Sequence, residues 1–333
     1  MKRFRRKYFF LKVNYTTAFL SKIIRPYSDI TINLSDNNFR SLDIVNSREE
    51  FSNWTIVIQG PINSKVELDY LKNNLDFLKS NYPGVKIVIS SYFQCEDYID
   101  QIASNFYDHK ILLDSNNYKN NFERQVASTF AGLEQSLNWG TPFSIKLRTD
   151  QKLRNPANLK LFEILLEEFK DAKTDSQTRI IFGSYNSWLY RPFGLSDMFT
   201  AGSTDELCKY WNFNEEISNF SIKFHNEPSW LENKVLFFES FLNMRFLNSY
   251  KFSFSKDKFK DTSFALRDYF IVVDSVSIGQ EWLKRSNVWS GNSIVKAGYD
   301  LPPEALLEFD FITWLLIKNN VLEIRPNELA SRH

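Results

Sequence analysis

The stretch "SIKLRTDQK" places Lys146, Arg148 and Asp150 at alternate positions where an apolar run turns polar. Successive side chains of a strand point to opposite faces, so these three share one side and its exit while Ile145 and Leu147 take the other. Two cations beside one carboxylate make one of two things. They form a salt-bridge cap on a strand end, or a site where cations neutralise a diphosphate and the carboxylate accepts from a sugar hydroxyl or binds a divalent ion.

Three further groups could join such a site. Asn121, Arg124, Gln125 and Ser128 fall at i, i+3, i+4 and i+7 of a helical pattern, beside an apolar stripe of Phe122, Val126, Thr129 and Leu133. Taken alone this reads as a solvated face. "RPFGLSDMF" mixes Arg191 and Asp197 with proline, glycine and aromatics, which suits a structural turn or a loop that stacks a sugar ring and hydrogen-bonds its hydroxyls. In "VLFFESFLNMRFL", Glu239 stands in register with Val235, Leu242 and Phe246. A carboxylate on an apolar stripe is either paired, with Arg245 or Arg267 available, or kept for proton transfer as a general base.

The elements that must position these residues alternate. "WTIVIQGP" reads as a strand stopped by Gly60-Pro61, Ser64 to Ser80 as a helix, "VKIVISS" as a strand, Asp97 to Asn105 as a helix, "HKILLD" as a strand, Asn121 to Leu137 as a helix and "FSIKLR" as a strand. Such alternation predicts an α/β fold with a mostly parallel central sheet and helices on both faces. Ligands of these sheets bind beyond the carboxyl ends of the strands, which singles out Gln59-Gly60-Pro61, Ser90-Ser91, Asp114 and Arg148 to Asp150. The C-terminal half is less regular: a strand at "RIIFGS", the "RPFGLSDMFTAGS" loop, helices near Thr204 to Trp211 and Lys234 to Leu247, and a closing helix and strand within Glu304 to Ile324.

Composition excludes several chemistries. The chain has 333 residues, 43% hydrophobic and 16% aromatic, enough for a sizeable core. Three histidines, one of them the last residue, leave no material for a His-rich zinc site or a Ser-His-Asp triad. Cys95 and Cys208 match no metal or disulfide spacing, which fits a reducing compartment. No G-x-G-x-x-G, Walker loop or G-x-S-x-G occurs. The net charge of +1 hides +8 in the first 25 residues, so the remainder carries −7 and nucleic acid is not an expected partner. No apolar run reaches the roughly 18 to 20 residues that span a bilayer. The expectation is a cytoplasmic protein whose basic start rests on the anionic inner membrane surface.

Taken in order, "WTIVIQGPI", "NNFERQVASTFAGL", "FSIKLRTDQ", "FGSYNS", "RPFGLSDMFTAGS" and "FFESFL" resemble the WavE lipopolysaccharide-synthesis family from about Trp54 to Leu247. The resemblance implies a GT-A-like fold, while the residues beyond Leu247 resemble nothing named; the chain is expected to form a basic extension and linker (1–53) and one α/β domain (54–333) with a nucleotide-binding half (54–150) and an acceptor half (151–333). The resemblance also implies a glycosyltransferase taking a nucleotide-sugar donor to a lipopolysaccharide core, O-antigen or capsule acceptor, which is a glycan or lipid-linked glycan. Gln59, Gly60 and Pro61 would then sit at the nucleotide, Arg124 and Gln125 beside it, and Lys146, Arg148 and Asp150 at the diphosphate and sugar. Arg191 and Asp197 would meet the acceptor, and Asp150 and Glu239 would be catalytic. Asp150 is followed by Gln151 and Lys152, so the usual D-x-D is missing. The cofactor therefore stays open between Mg²⁺ or Mn²⁺ and none, with Lys146 and Arg148 able to take over the ion's electrostatic work. A non-catalytic sugar- or nucleotide-binding subunit of an assembly complex is the alternative. A nucleotidyltransferase would need a second nearby carboxylate.

Overall fold

Trp54–Gln59 (β1) is buried at every position, as a near-continuous apolar run predicts for a strand covered on both faces. The computed structural model describes residues 50–170, 179–212, 238–283 and 308–324. Met1–Val45 and Asn46–His333 group as separate units; the basic N-terminal residues lie outside the described residues.

After β1 come Lys65–Asn81 (α1), Lys86–Tyr92 (β2), the short Glu96–Ile99 (α2), His109–Leu113 (β3), Asn121–Asn138 (α3), Phe143–Arg148 (β4) and Gln151–Lys152 (β5). The chain continues with Asn158–Glu168 (α4), Ile180–Gly183 (β6), Thr200–Ser203 (β7), Thr204–Trp211 (α5), Phe238–Ser249 (α6), Lys258–Asp268 (α7), Phe270–Val273 (β8), Glu281–Trp282 (β9) and Phe311–Lys318 (α8). At several helix starts a side-chain oxygen caps a free amide. Ser64 accepts from the Glu67 amide at 3.2 Å, Asn120 from Glu123 at 2.9 Å and Ser203 from Glu206 at 3.2 Å.

Seven strands form one sheet in the order β3-β2-β1-β4-β7-β6-β8. Every neighbouring pair is parallel except those of β7, which runs against both β4 and β6. The fold is thus α/β with a mostly parallel sheet, as the alternation predicts. β1 leads outward through β2 to β3, and the chain then returns to place β4 on the other side of β1. The crevice between the ends of β1 and β4 is therefore the point where strand order reverses, the usual ligand position in such sheets. Helix α3 presses closely on β1: a Cβ added to Gly132 would stand 2.3 Å from Val57 Cγ1.

The structure differs from the sequence reading in several elements. The helix expected over Asp97 to Asn105 shrinks to α2 and single 3₁₀ turns. Thr200–Ser203, read as loop, is strand β7, which pairs antiparallel with β4 on one side and β6 on the other. Among the described residues no closing strand follows α8, where the backbone forms turns and irregular structure up to Ile324. Of the helix expected from Lys234, the part before Phe238 lies outside the described residues.

Candidate functional site

The exit of β1 is stitched across to β4. Gly60 adopts φ +120°, a conformation side chains disfavour, and a Cβ there would stand 3.2 Å from Thr149 Oγ1. Thr149 Oγ1 donates to the Pro61 carbonyl at 2.7 Å, the Thr149 amide to the Gln59 carbonyl at 3.0 Å, and Ser91 Oγ to the Gly60 carbonyl at 2.8 Å. Gln59 pairs in register with Arg148. A cavity of about 730 Å³ opens at this edge. Gln59, Gly60, Pro61, Arg124, Gln125, Arg148 and Asp150 all line it.

The polar stripe of α3 is the cavity wall, not a solvated face. Asn121, Arg124 and Gln125 line it, while Ser128 turns inward and hydrogen-bonds Gln59 Oε1 at 3.1 Å. Arg124 Nε donates to the Ser115 carbonyl at 3.2 Å. Tyr92, the last residue of β2, lines the cavity and donates to Ser128 Oγ at 3.3 Å; burial pushes its phenol above the ordinary range. Tyr92 was within reach of the strand-end rule. Cys95 and Tyr98, which also line the cavity, carried no sequence signal.

Asp150 is 3% exposed and tied to Arg148 by a forked pair, Nε to Oδ1 at 2.9 Å and Nη2 to Oδ2 at 3.1 Å. Oδ2 also accepts from the Trp282 indole at 3.2 Å. Both oxygens thus accept from side-chain donors, which fixes the orientation of the carboxylate. Among the described residues no group of three or more His, Cys, Asp or Glu side chains is arranged to hold a metal.

Lys146 is not part of the cavity lining. Its side chain is fully buried, and its ammonium donates to the Asp197 carbonyl and, at 3.4 Å, to the Met198 carbonyl, over the Trp211 ring at 4.8 Å from its centroid. Burial drives its pKa down to about 7, with Arg148 adding to the fall and Asp197 opposing it. The alternation that sets Lys146 on the Arg148 side holds. Two residues of strand rise are about 6.6 Å, however, so Lys146 sits that much deeper, beneath the cavity floor.

Arg191, Asp197 and Glu239 lie outside the lining but form one electrostatic group with it. Gln125 Nε2 donates to Asp197 Oδ2. Arg191 Nη1 stands 3.7 Å from Glu239 Oε2, with side-chain exposures of 14% and 23%. Burial raises the Glu239 pKa, the Asp197 charge raises it further, and Arg191 opposes both. The partner of Glu239 is therefore Arg191. Arg267 pairs instead with Asp268 at 3.1 Å, and Arg245 Nη2 donates to the Lys209 carbonyl at 3.3 Å. Phe122 of α3 meets Phe238 of α6 edge-on at 3.7 Å between centroids, which sets the Glu239 turn beside the α3 wall.

The structure has likenesses among solved proteins. A glycosyltransferase involved in glycosylation of the major capsid of PBCV-1 aligns over 67% of this chain and 81% of its own, at 11% identity and a TM-score of 0.33. A 4-diphosphocytidyl-2C-methyl-D-erythritol synthase from Anaerococcus prevotii DSM 20548 aligns over 76% and 98%, at 12% identity and 0.37. A cytidylyltransferase from Leptospira borgpetersenii serovar Hardjo-bovis (strain JB197) aligns over 82% and 98%, at 13% and 0.35. No curated protein matches the sequence. The model of one family, described as WavE lipopolysaccharide synthesis, matches residues 54–229, more than half of the 333. With that match spanning β1, the α3 wall and the Arg148–Asp150 exit, the chain belongs to the WavE lipopolysaccharide synthesis family.

Proposed function

We propose that this chain is a glycosyltransferase that binds a nucleotide-sugar donor in the cavity between β1 and β4 and transfers the sugar to a glycan or lipid-linked glycan of the bacterial surface. The observation that carries it is the pair of guanidiniums, Arg124 and Arg148, lining one cavity at the strand-order reversal. Guanidiniums bind phosphate oxygens through parallel N–H bonds. In transfer, an acceptor hydroxyl oxygen bonds to the anomeric carbon while the carbon–oxygen bond to the diphosphate breaks and its electron pair leaves with the phosphate. The arginines stabilise that charge, and Glu239 takes the hydroxyl proton. Asp150 lines the same cavity and holds Arg148 through the fork. Arg191 and Asp197 stand beside Glu239, where an acceptor would enter.

The test is thermal stabilisation across a panel of nucleoside mono- and diphosphates, with and without EDTA. A nucleotide at a hundredfold excess over its Kd adds about 2.7 kcal/mol, a rise of several degrees in Tm for a chain of this size. Stabilisation is expected to survive EDTA, since the charge is met by side chains. If no nucleotide shifts the Tm, the donor assignment is wrong; a shift lost in EDTA and restored by Mn²⁺ would put an ion in the site.

The eight basic residues among the first 25 are proposed to hold the enzyme at an anionic inner-membrane surface, each contributing about 1 kcal/mol near the bilayer. Among the described residues, no helix is long and apolar enough to cross a membrane. Deletion of residues 2–12 is expected to abolish sedimentation with anionic liposomes at low salt. Unchanged sedimentation would end the idea.

A further inference from the structure

Asp150 is joined by its side chain to the cavity and by its backbone to the far end of the sequence. β5 pairs with β9, Gln151 opposite Trp282 and Lys152 opposite Glu281. The Leu283 amide donates to the Asp150 carbonyl at 3.0 Å. The segment leading into β9 is fastened as well: the Arg154 amide donates to the Gly279 carbonyl at 3.0 Å, and Asn158 Nδ2 to the Ile278 carbonyl at 2.8 Å. Gly279 turns there at φ +61°, where a Cβ would stand 2.9 Å from the Asn155 amide nitrogen. The ribbon is thus set at a fixed place, with the Trp282 indole N–H 3.2 Å from Asp150 Oδ2.

We infer that Trp282 is a positioning residue for the nucleotide cavity, acting on Arg148 through Asp150; the inference rests on the donor assignment proposed above. A forked guanidinium–carboxylate pair is coplanar, but the pair as a whole can still swing about its side-chain bonds. The indole N–H is a third donor that arrives from a different element and fixes the carboxylate. The carboxylate then fixes the guanidinium, which presents its remaining N–H groups at the cavity that Arg148 lines. Trp282 touches no substrate in this account. Its effect passes wholly through the Arg148 fork.

Trp282→Phe keeps an aromatic ring, smaller than the indole, and removes the N–H. Calorimetric titration with the nucleotide that stabilises wild type most is expected to show affinity about tenfold weaker, the size of one hydrogen bond to a charged group. Donor KM should rise by a similar factor with kcat changed less. Arg148→Lys supplies the decisive background, since an ammonium cannot make the fork. There, Trp282→Phe is expected to change affinity less than about twofold. Trp282→His, which keeps a ring N–H, should stay within about threefold of wild type, and it stands in if the phenylalanine variant does not fold. Equal affinity of wild type and Trp282→Phe overturns the inference, as does equal loss in both backgrounds or a histidine variant as weak as the phenylalanine one. If no nucleotide binds wild type at all, the donor assignment falls first and takes the inference with it.

Discussion

Arg148→Ala is expected to weaken nucleotide binding about a hundredfold, the value of roughly two charge-assisted hydrogen bonds at the low end of their range. It should also destabilise the fold by about 3 kcal/mol, because removing one partner of a buried pair strands the other charge. The low end of that range applies for two reasons. The Arg148 side chain is 26% exposed, and Asp150, 4% exposed, keeps the Trp282 donor. The two losses separate in Arg148→Ala combined with Asp150→Ala. Deleting both charges restores most of the stability, while the phosphate ligand stays missing. Denaturant midpoints read the first and calorimetric titration the second. A double variant that regains nucleotide affinity together with stability would remove Arg148 from the phosphate site.

Glu239→Gln is expected to cut turnover by about 10² to 10⁴, the ordinary contribution of a positioned base, while donor affinity and Tm change little. Stability is spared because the Arg191 contact is long, at 3.7 Å, and the Glu239 side chain is 23% exposed. The pH dependence has a definite sign. A base works deprotonated, so activity rises with pH through its pKa. Burial and the Asp197 charge raise that pKa from its ordinary value, placing the acidic limb nearer neutrality than an exposed glutamate would. In Glu239→Gln that limb should vanish from the residual activity. A variant that melts far lower yet keeps wild-type turnover when cold would make Glu239 a structural partner of Arg191 and nothing more.

What the sequence discloses here is set by how local each cause is. β1 is legible because burial on both faces demands an apolar run and β4 because its residues alternate, and Gln59 to Pro61 and Arg148 to Asp150 follow from the strand-end rule without any tertiary knowledge. The α3 wall is half legible: spacing groups Asn121, Arg124 and Gln125, but only the sheet decides that this face meets a cavity and not water. β7 is hidden because "TAGS" has no strand signature of its own and becomes a strand only between β4 and β6. Alternation gives Lys146 its side but not its depth. The Arg191–Glu239 and Asp150–Trp282 contacts join residues far apart in the chain, and no spacing rule reaches them.

The lock on Asp150 also sets a clock. Trp282 follows Asp150 by 132 residues, and ribosomes add roughly 5 to 20 residues per second. About 7 to 26 s therefore pass on the ribosome between the synthesis of the carboxylate and that of the indole that fixes it. When Asp150 has been made β1 to β4 are all complete, but the outer edge of β4 stays uncovered until β7, Thr200–Ser203, is synthesised, and an uncovered strand is a template for pairing with other chains. Nascent chains of this protein thus pass through a length at which Phe143–Arg148, the strand that ends in the site, is an open edge, and the indole that fixes Asp150 arrives only after that edge has been covered.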